Sequence, residues 1–134
     1  MAVTLGASLL VFPIQQRVMG AGDSARRCPC PKAPPAVTGD NVYVAWWSNK
    51  TGNDEVLFRA STDKGQTFGD KINLSNTTEA ESHEVEIDSD TDSVVVTWWE
   101  TNDTSDVPVM RVSDDNGATF GPLLKLAANG TLGE

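Results

Sequence analysis

Hydrophobic positions along this chain fall into short runs separated by polar turns. Val42-Tyr43-Val44-Ala45-Trp46-Trp47 and Val94-Val95-Val96-Thr97-Trp98-Trp99 are β-branched and aromatic runs bounded by turn-rich sequence, and both predict strands. Their near-continuous apolarity predicts strands covered on both faces, as when sheets stack face to face. Polar turns follow at Ser48–Asp54 and Glu100–Asp106. Third strands are predicted at Glu55–Ala60 and Val107–Val112, and fourth strands at about Lys71–Leu74 and Leu123–Ala127. His83–Ile87 alternates polar and apolar residues and predicts a first strand for the second set. Its counterpart, Pro31–Pro35, cannot pair well because proline lacks an N–H, so the first set is predicted to be short of a strand. No segment carries a convincing helical pattern.

The two sets are copies of one unit, offset by 52 residues. Asp40–Leu74 aligns with Asp92–Leu126 without a gap, and 14 of the 35 positions are identical. They include Val42/Val94, Val44/Val96, Trp46/Trp98, Trp47/Trp99 and Arg59/Arg111, and mismatches such as Leu57/Val109 and Phe58/Met110 keep their apolar character. A repeat of this length is one supersecondary unit that must stack on a neighbour to bury its apolar face. The chain therefore divides into residues 1–35, a leader or an extended N-terminal arm; 36–84, the first unit; and 85–134, the second.

The sharpest motif is Ser61-Thr62-Asp63-Lys64-Gly65-Gln66-Thr67-Phe68, repeated as Ser113-Asp114-Asp115-Asn116-Gly117-Ala118-Thr119-Phe120. Each copy lies between a predicted third and fourth strand. The Asp carboxylate can accept backbone N–H groups of the turn, and Gly supplies a positive φ. The Ser and Thr hydroxyls can tie the ends together while Phe drops into the apolar layer beneath. This S-x-D-x-G-x-T-F spacing resembles the Asp-box of the sialidase-like BNR repeat family. The resemblance covers roughly residues 37–127. It implies an all-β fold of two four-stranded antiparallel β-propeller-type blades.

The family's enzymes hold a substrate carboxylate with three arginines and use a Tyr nucleophile with a Glu partner and an acidic proton donor. This chain has one Tyr, Tyr43, inside a predicted strand, and Arg59 and Arg111 stand at repeat-equivalent framework positions. The chain alone thus offers no catalytic residue, a sialidase-like glycosidase with a site completed between subunits is the least favoured reading, and Ser61, Asp63, Gly65, Thr67, Phe68, Ser113, Asp115, Gly117, Thr119 and Phe120 are assigned an architectural role. No cofactor is implied.

The tryptophan pairs Trp46-Trp47 and Trp98-Trp99 suit either packing between blades or stacking on sugar rings. Because adjacent strand residues point to opposite faces, one Trp of each pair faces each side of its sheet. Asp88, Asp90 and Asp92 have the alternate spacing of a calcium loop's first ligands, but no sharp-turn Gly follows, and a solvated turn is the favoured reading. His83 reads as an exposed strand residue. Cys28-Pro29-Cys30 lacks the second Cys pair or neighbouring His of a zinc site, and a disulfide between such close thiols is strained.

Five of the eight asparagines begin an N-x-S/T sequon: Asn49, Asn73, Asn76, Asn102 and Asn129. All fall in predicted turns or strand ends, where a glycan can project into solvent. Upstream, the apolar stretch Ala2–Ile14 precedes Met19-Gly20-Ala21, a possible cleavage point. It reads as a secretory leader, as a disordered arm, or as a segment that adds to a neighbouring subunit's sheet. An extracellular or cell-surface glycoprotein is expected.

Charge removes one class. Ten Lys and Arg against 19 Asp and Glu give a net charge of −9, with no basic cluster to neutralise phosphates, so a nucleic-acid partner is excluded. No apolar run reaches the roughly 18 residues of a membrane span. Closure supplies the remaining expectation. Propellers need about four to eight blades, and this chain encodes two. The expected partner is therefore self, in a closed ring of about three or four chains or an open fibre, with glycans as the alternative ligand.

Overall fold

A computed structural model describes residues 32–127. The described chain forms two four-stranded antiparallel sheets in simple up-and-down order and contains no helix. The first sheet comprises β1 (Pro35–Thr38), β2 (Asn41–Ser48), β3 (Glu55–Ser61) and β4 (Ile72–Asn73). The second comprises β5 (Glu81–Asp90), β6 (Ser93–Asn102), β7 (Ser105–Ser113) and β8 (Leu124–Lys125). Of the leader or arm expected over residues 1–35, residues 1–31, with Cys28 and Cys30, lie outside the described residues, as does Asn129.

The first unit is not short of a strand. Pro35 opens β1 opposite Val44, and the pairing runs on to Thr38 opposite Asn41. Proline is tolerated because β1 is an edge strand and Pro35 is its first residue. A proline also keeps its carbonyl: Pro34 O accepts the Ala45 N–H at 3.4 Å. The missing donors shorten β1 to four residues, against ten in β5.

Strand alternation decides which face each sheet buries. On the first sheet Tyr43, Ala45, Val56 and Phe58 are buried and face the second. On the second sheet Val94, Val96, Trp98 and Val109 face back. Large side chains such as Tyr43, Phe58 and Trp98 are almost fully buried, and each contributes roughly 1.5–3 kcal/mol. β5 lies over β1, β2 and β3. A β-bulge between His83 and Glu86, with Glu84 at φ 56°, breaks the simple alternation expected there. It sets Glu84 and Val85 opposite the single Trp98, so that both Ser82 and Val85 are buried.

The connection between the sheets is pinned by polar side chains. Buried Glu55 accepts the Ser75 hydroxyl and the Thr77 N–H, while Ser75 Oγ accepts the Val56 N–H at 2.9 Å. Asn53 Nδ2 donates to the carbonyls of Thr77 and Ala80, and the Ser82 N–H donates to Asp54 O at 2.9 Å. With a buried carboxylate, a hydroxyl and an amide fixing residues 75–82, the mutual orientation of the sheets is set by the chain itself.

Candidate functional site

The two S-x-D-x-G-x-T-F turns have the same geometry. In the first, Ser61 Oγ donates to Asp63 Oδ1 at 2.7 Å and accepts the Gly65 N–H at 2.9 Å. The Thr67 N–H donates to Asp63 Oδ1 at 2.8 Å and its hydroxyl to Oδ2 at 2.5 Å. In the second, Ser113, Asp115, Gly117 and Thr119 repeat those four bonds at the same distances. Asp63 O accepts the Gln66 N–H across Lys64 (φ 62°) and Gly65 (φ 82°), the double positive-φ pattern of a type I′ turn. The sequence points to the glycine but not to the preceding residue, although Asn116 in the second copy is a type that tolerates this conformation.

Hydrogen bonds to the charged form hold both carboxyls low. The Thr67 hydroxyl, then its N–H, then the Ser61 hydroxyl bring Asp63 to about 2, and Thr119 and Ser113 do the same for Asp115. A general acid needs a carboxyl near the working pH, so these two groups are fitted for holding a turn and not for donating protons. Arg59 and Arg111 also serve the turns. Arg59 donates to the carbonyls of Gly69 and Phe68, and Arg111 Nη1 donates to Gly121 O at 2.8 Å.

The copies differ in their surroundings. The second turn lies across the first sheet: Asn116 Oδ1 accepts the Asn41 side-chain N–H at 2.9 Å and the Tyr43 hydroxyl at 3.1 Å. Phe120 packs edge-on against Phe58 with ring centroids 4.9 Å apart. The layer that receives Phe120 therefore belongs to the opposite sheet. Phe68, its repeat partner, is half-buried and stands outside the core cluster. Between the two turns a groove of about 660 Å³ opens over Phe58, Ala60 and Ile72, with Asp70, Asp115 and Asn116 along its sides.

The tryptophans divide by face. Trp98 is buried and its indole N–H donates to Glu100 Oε1 at 2.7 Å, and Trp47 packs against the core. Trp46 and Trp99 are half-buried on the outer faces. The Asp88 and Asp90 side chains are exposed along β5, where each bonds its own neighbour, and no group of three or more His, Cys, Asp or Glu among the described residues is placed to hold a metal. His83 is half-buried with Nε2 3.1 Å from the Thr101 hydroxyl. Asn49, Asn73, Asn76 and Asn102 are all exposed. No helix among the described residues is long and apolar enough to cross a membrane. No family model, curated protein or solved structure matches the chain.

Proposed function

We propose that this chain is a secreted or cell-surface, non-catalytic Asp-box repeat protein whose two blades assemble with other copies into a propeller-like oligomer or an extracellular fibre. The observation that carries this reading is the pair of outer faces. Val42, Val44 and Trp46 line one and Val95, Trp99 and Met110 the other, all half-buried and outside the core cluster. Apolar rows on both outer faces are the surfaces a stacking partner covers. The exposed sequon asparagines Asn49, Asn73, Asn76 and Asn102 support export to a glycosylating compartment. The turn carboxyls, each accepting three hydrogen bonds within its own turn, support an architectural role for the Asp-box.

Trp46 and Trp99 also favour a second reading, a carbohydrate-binding module that stacks sugar rings on its half-exposed indoles. Light scattering coupled to native mass spectrometry on the full chain tests the first reading. Masses of about three or four chains, or a very large polydisperse species, are expected. A monomer at all concentrations overturns it, and a glycan array then tests the second.

A further inference from the structure

We infer that copies of this chain join head to tail, the outer face of the first sheet of one copy seating on the outer face of the second sheet of the next, through the packing that already joins the two sheets within a chain. This rests on the self-assembly reading and adds a polarity to it. The first argument is the repeat. Val94, Val96 and Trp98, which the second sheet buries inward, are repeat partners of Val42, Val44 and Trp46, which the first sheet turns outward. Tyr43, Ala45 and Phe58, buried inward on the first sheet, are repeat partners of Val95, Thr97 and Met110, turned outward on the second. The outer face of the first sheet thus carries the residues of a face whose partner the chain contains, and the outer face of the second stands at the positions of that partner, with Val95, Thr97 and Met110 for Tyr43, Ala45 and Phe58.

The second argument is the set of half-made contacts. Gly117 and Phe120 sit against Phe58, whereas among the described residues no aromatic ring packs on Gly65 or Phe68 in this way. In the head-to-tail arrangement Phe68 of one copy meets Met110 of the next, the counterpart of Phe58. Arg111 is half-buried in its sheet pair while Arg59, its repeat partner, remains exposed.

The third argument is charge. Residues 32–73 carry five basic and five acidic side chains, while residues 81–125 carry two basic and eleven acidic. Glu86, Asp88 and Asp90 stand in one exposed row on the outer side of β5. Two second sheets face to face would bring these rows together and repel. Seating a near-neutral first sheet there avoids the like-charge contact. An isologous pairing of two second sheets is therefore disfavoured, and a heterologous interface extends until it closes or grows as a fibre.

Two substitutions on the full chain test the polarity by native mass. Val44→Lys places a charge on the outer face of the first sheet and Thr97→Lys one on that of the second. Each variant alone is expected to be monomeric, and an equimolar mixture to form a heterodimer and nothing larger. If Val44→Lys still self-associates and the mixture yields no heterodimer, the polarity is wrong while self-assembly stands. A monomeric wild type overturns both.

A cross-link gives a second readout that leaves the interior untouched. Thr38 and Ser89 hydroxyls meet at 2.7 Å between the sheets, and their repeat partners are Asp90 and Val37, both exposed and directed outward. Val37→Cys with Asp90→Cys, in a Cys28→Ser, Cys30→Ser background, is expected to give a thiol-reversible ladder of multimers under mild oxidation. A wild-type-like assembly without a ladder overturns the inference, as does cross-linked dimer from Val37→Cys alone.

Discussion

Gly117 lies directly against Phe58: a methyl group at the glycine would stand 2.6 Å from the ring Cζ. The equivalent position at Gly65 meets only the Val42 side chain at 3.8 Å. Both glycines have positive φ, so alanine at either costs about 1–2 kcal/mol of backbone strain. Only Gly117→Ala also overpacks an aromatic contact, which adds about 1–3 kcal/mol. In urea melts of the dissociated chain Gly117→Ala is expected to be clearly the less stable. Equal losses would mean that the second turn does not seat on the first sheet.

The phenylalanines of the two turns give a parallel test. Phe120 packs on Phe58, and Phe120→Ala is expected to destabilise the dissociated chain by about 2 kcal/mol, below the full core value because the ring is half-buried. Phe68→Ala is expected to cost well under half of that. A larger loss at Phe68 would place its ring in a core the structure does not give it.

Acid stability follows from the turn carboxyls. Asp63 and Asp115 fall from 3.8 to about 2 on folding, so the folded chain binds fewer protons than the unfolded chain between those values. Their contribution is fully present above the higher value and is lost as pH falls through the lower. The melting temperature is expected to drop across that interval. An Asp63→Asn, Asp115→Asn variant is expected to melt lower at neutral pH and to respond less to acid. Parallel curves for the two proteins would remove the turns from the acid response.

The two-residue hairpins offer a gain of stability. Gly39 opens the β1–β2 turn at φ 60°, and its repeat partner Thr91 holds φ 56° despite its branched Cβ. Thr91→Gly relieves about 1–2 kcal/mol of left-handed strain and adds about 0.5–1 kcal/mol of unfolded-chain entropy. A net stabilisation of about 0.5–1 kcal/mol is expected by chemical denaturation, and a loss would show that Thr91 is held without strain.

The central strands were legible because β-branched and aromatic runs between turn residues have few other solutions, and the 52-residue offset transferred each assignment to its copy. The turn bonds of Ser61, Asp63 and Thr67 were legible because they are local, spanning at most four residues. Three features were hidden. β1 begins at a proline, and its pairing depends on the edge position that the fold creates. The bulge at Glu84 interrupts alternation without a glycine to mark it. The clamp of Asn53 and Glu55 on residues 75–80 joins polar side chains with no periodic pattern, and Val107 replaces Glu55 in the other copy, so the repeat offered no second example.

That clamp also bears on how the chain is made. Ser75 is the hydroxyl residue of the sequon at Asn73, and once folded its Oγ is buried between Glu55 and the Val56 N–H. A transferase that must grip this hydroxyl can act only on chains whose first sheet has not yet closed. Thr104, the hydroxyl residue for Asn102, stays exposed in a surface turn. In a glycosylating cell, occupancy at Asn73 relative to Asn102 is therefore a clock, recording how long each molecule lingered between synthesis and folding.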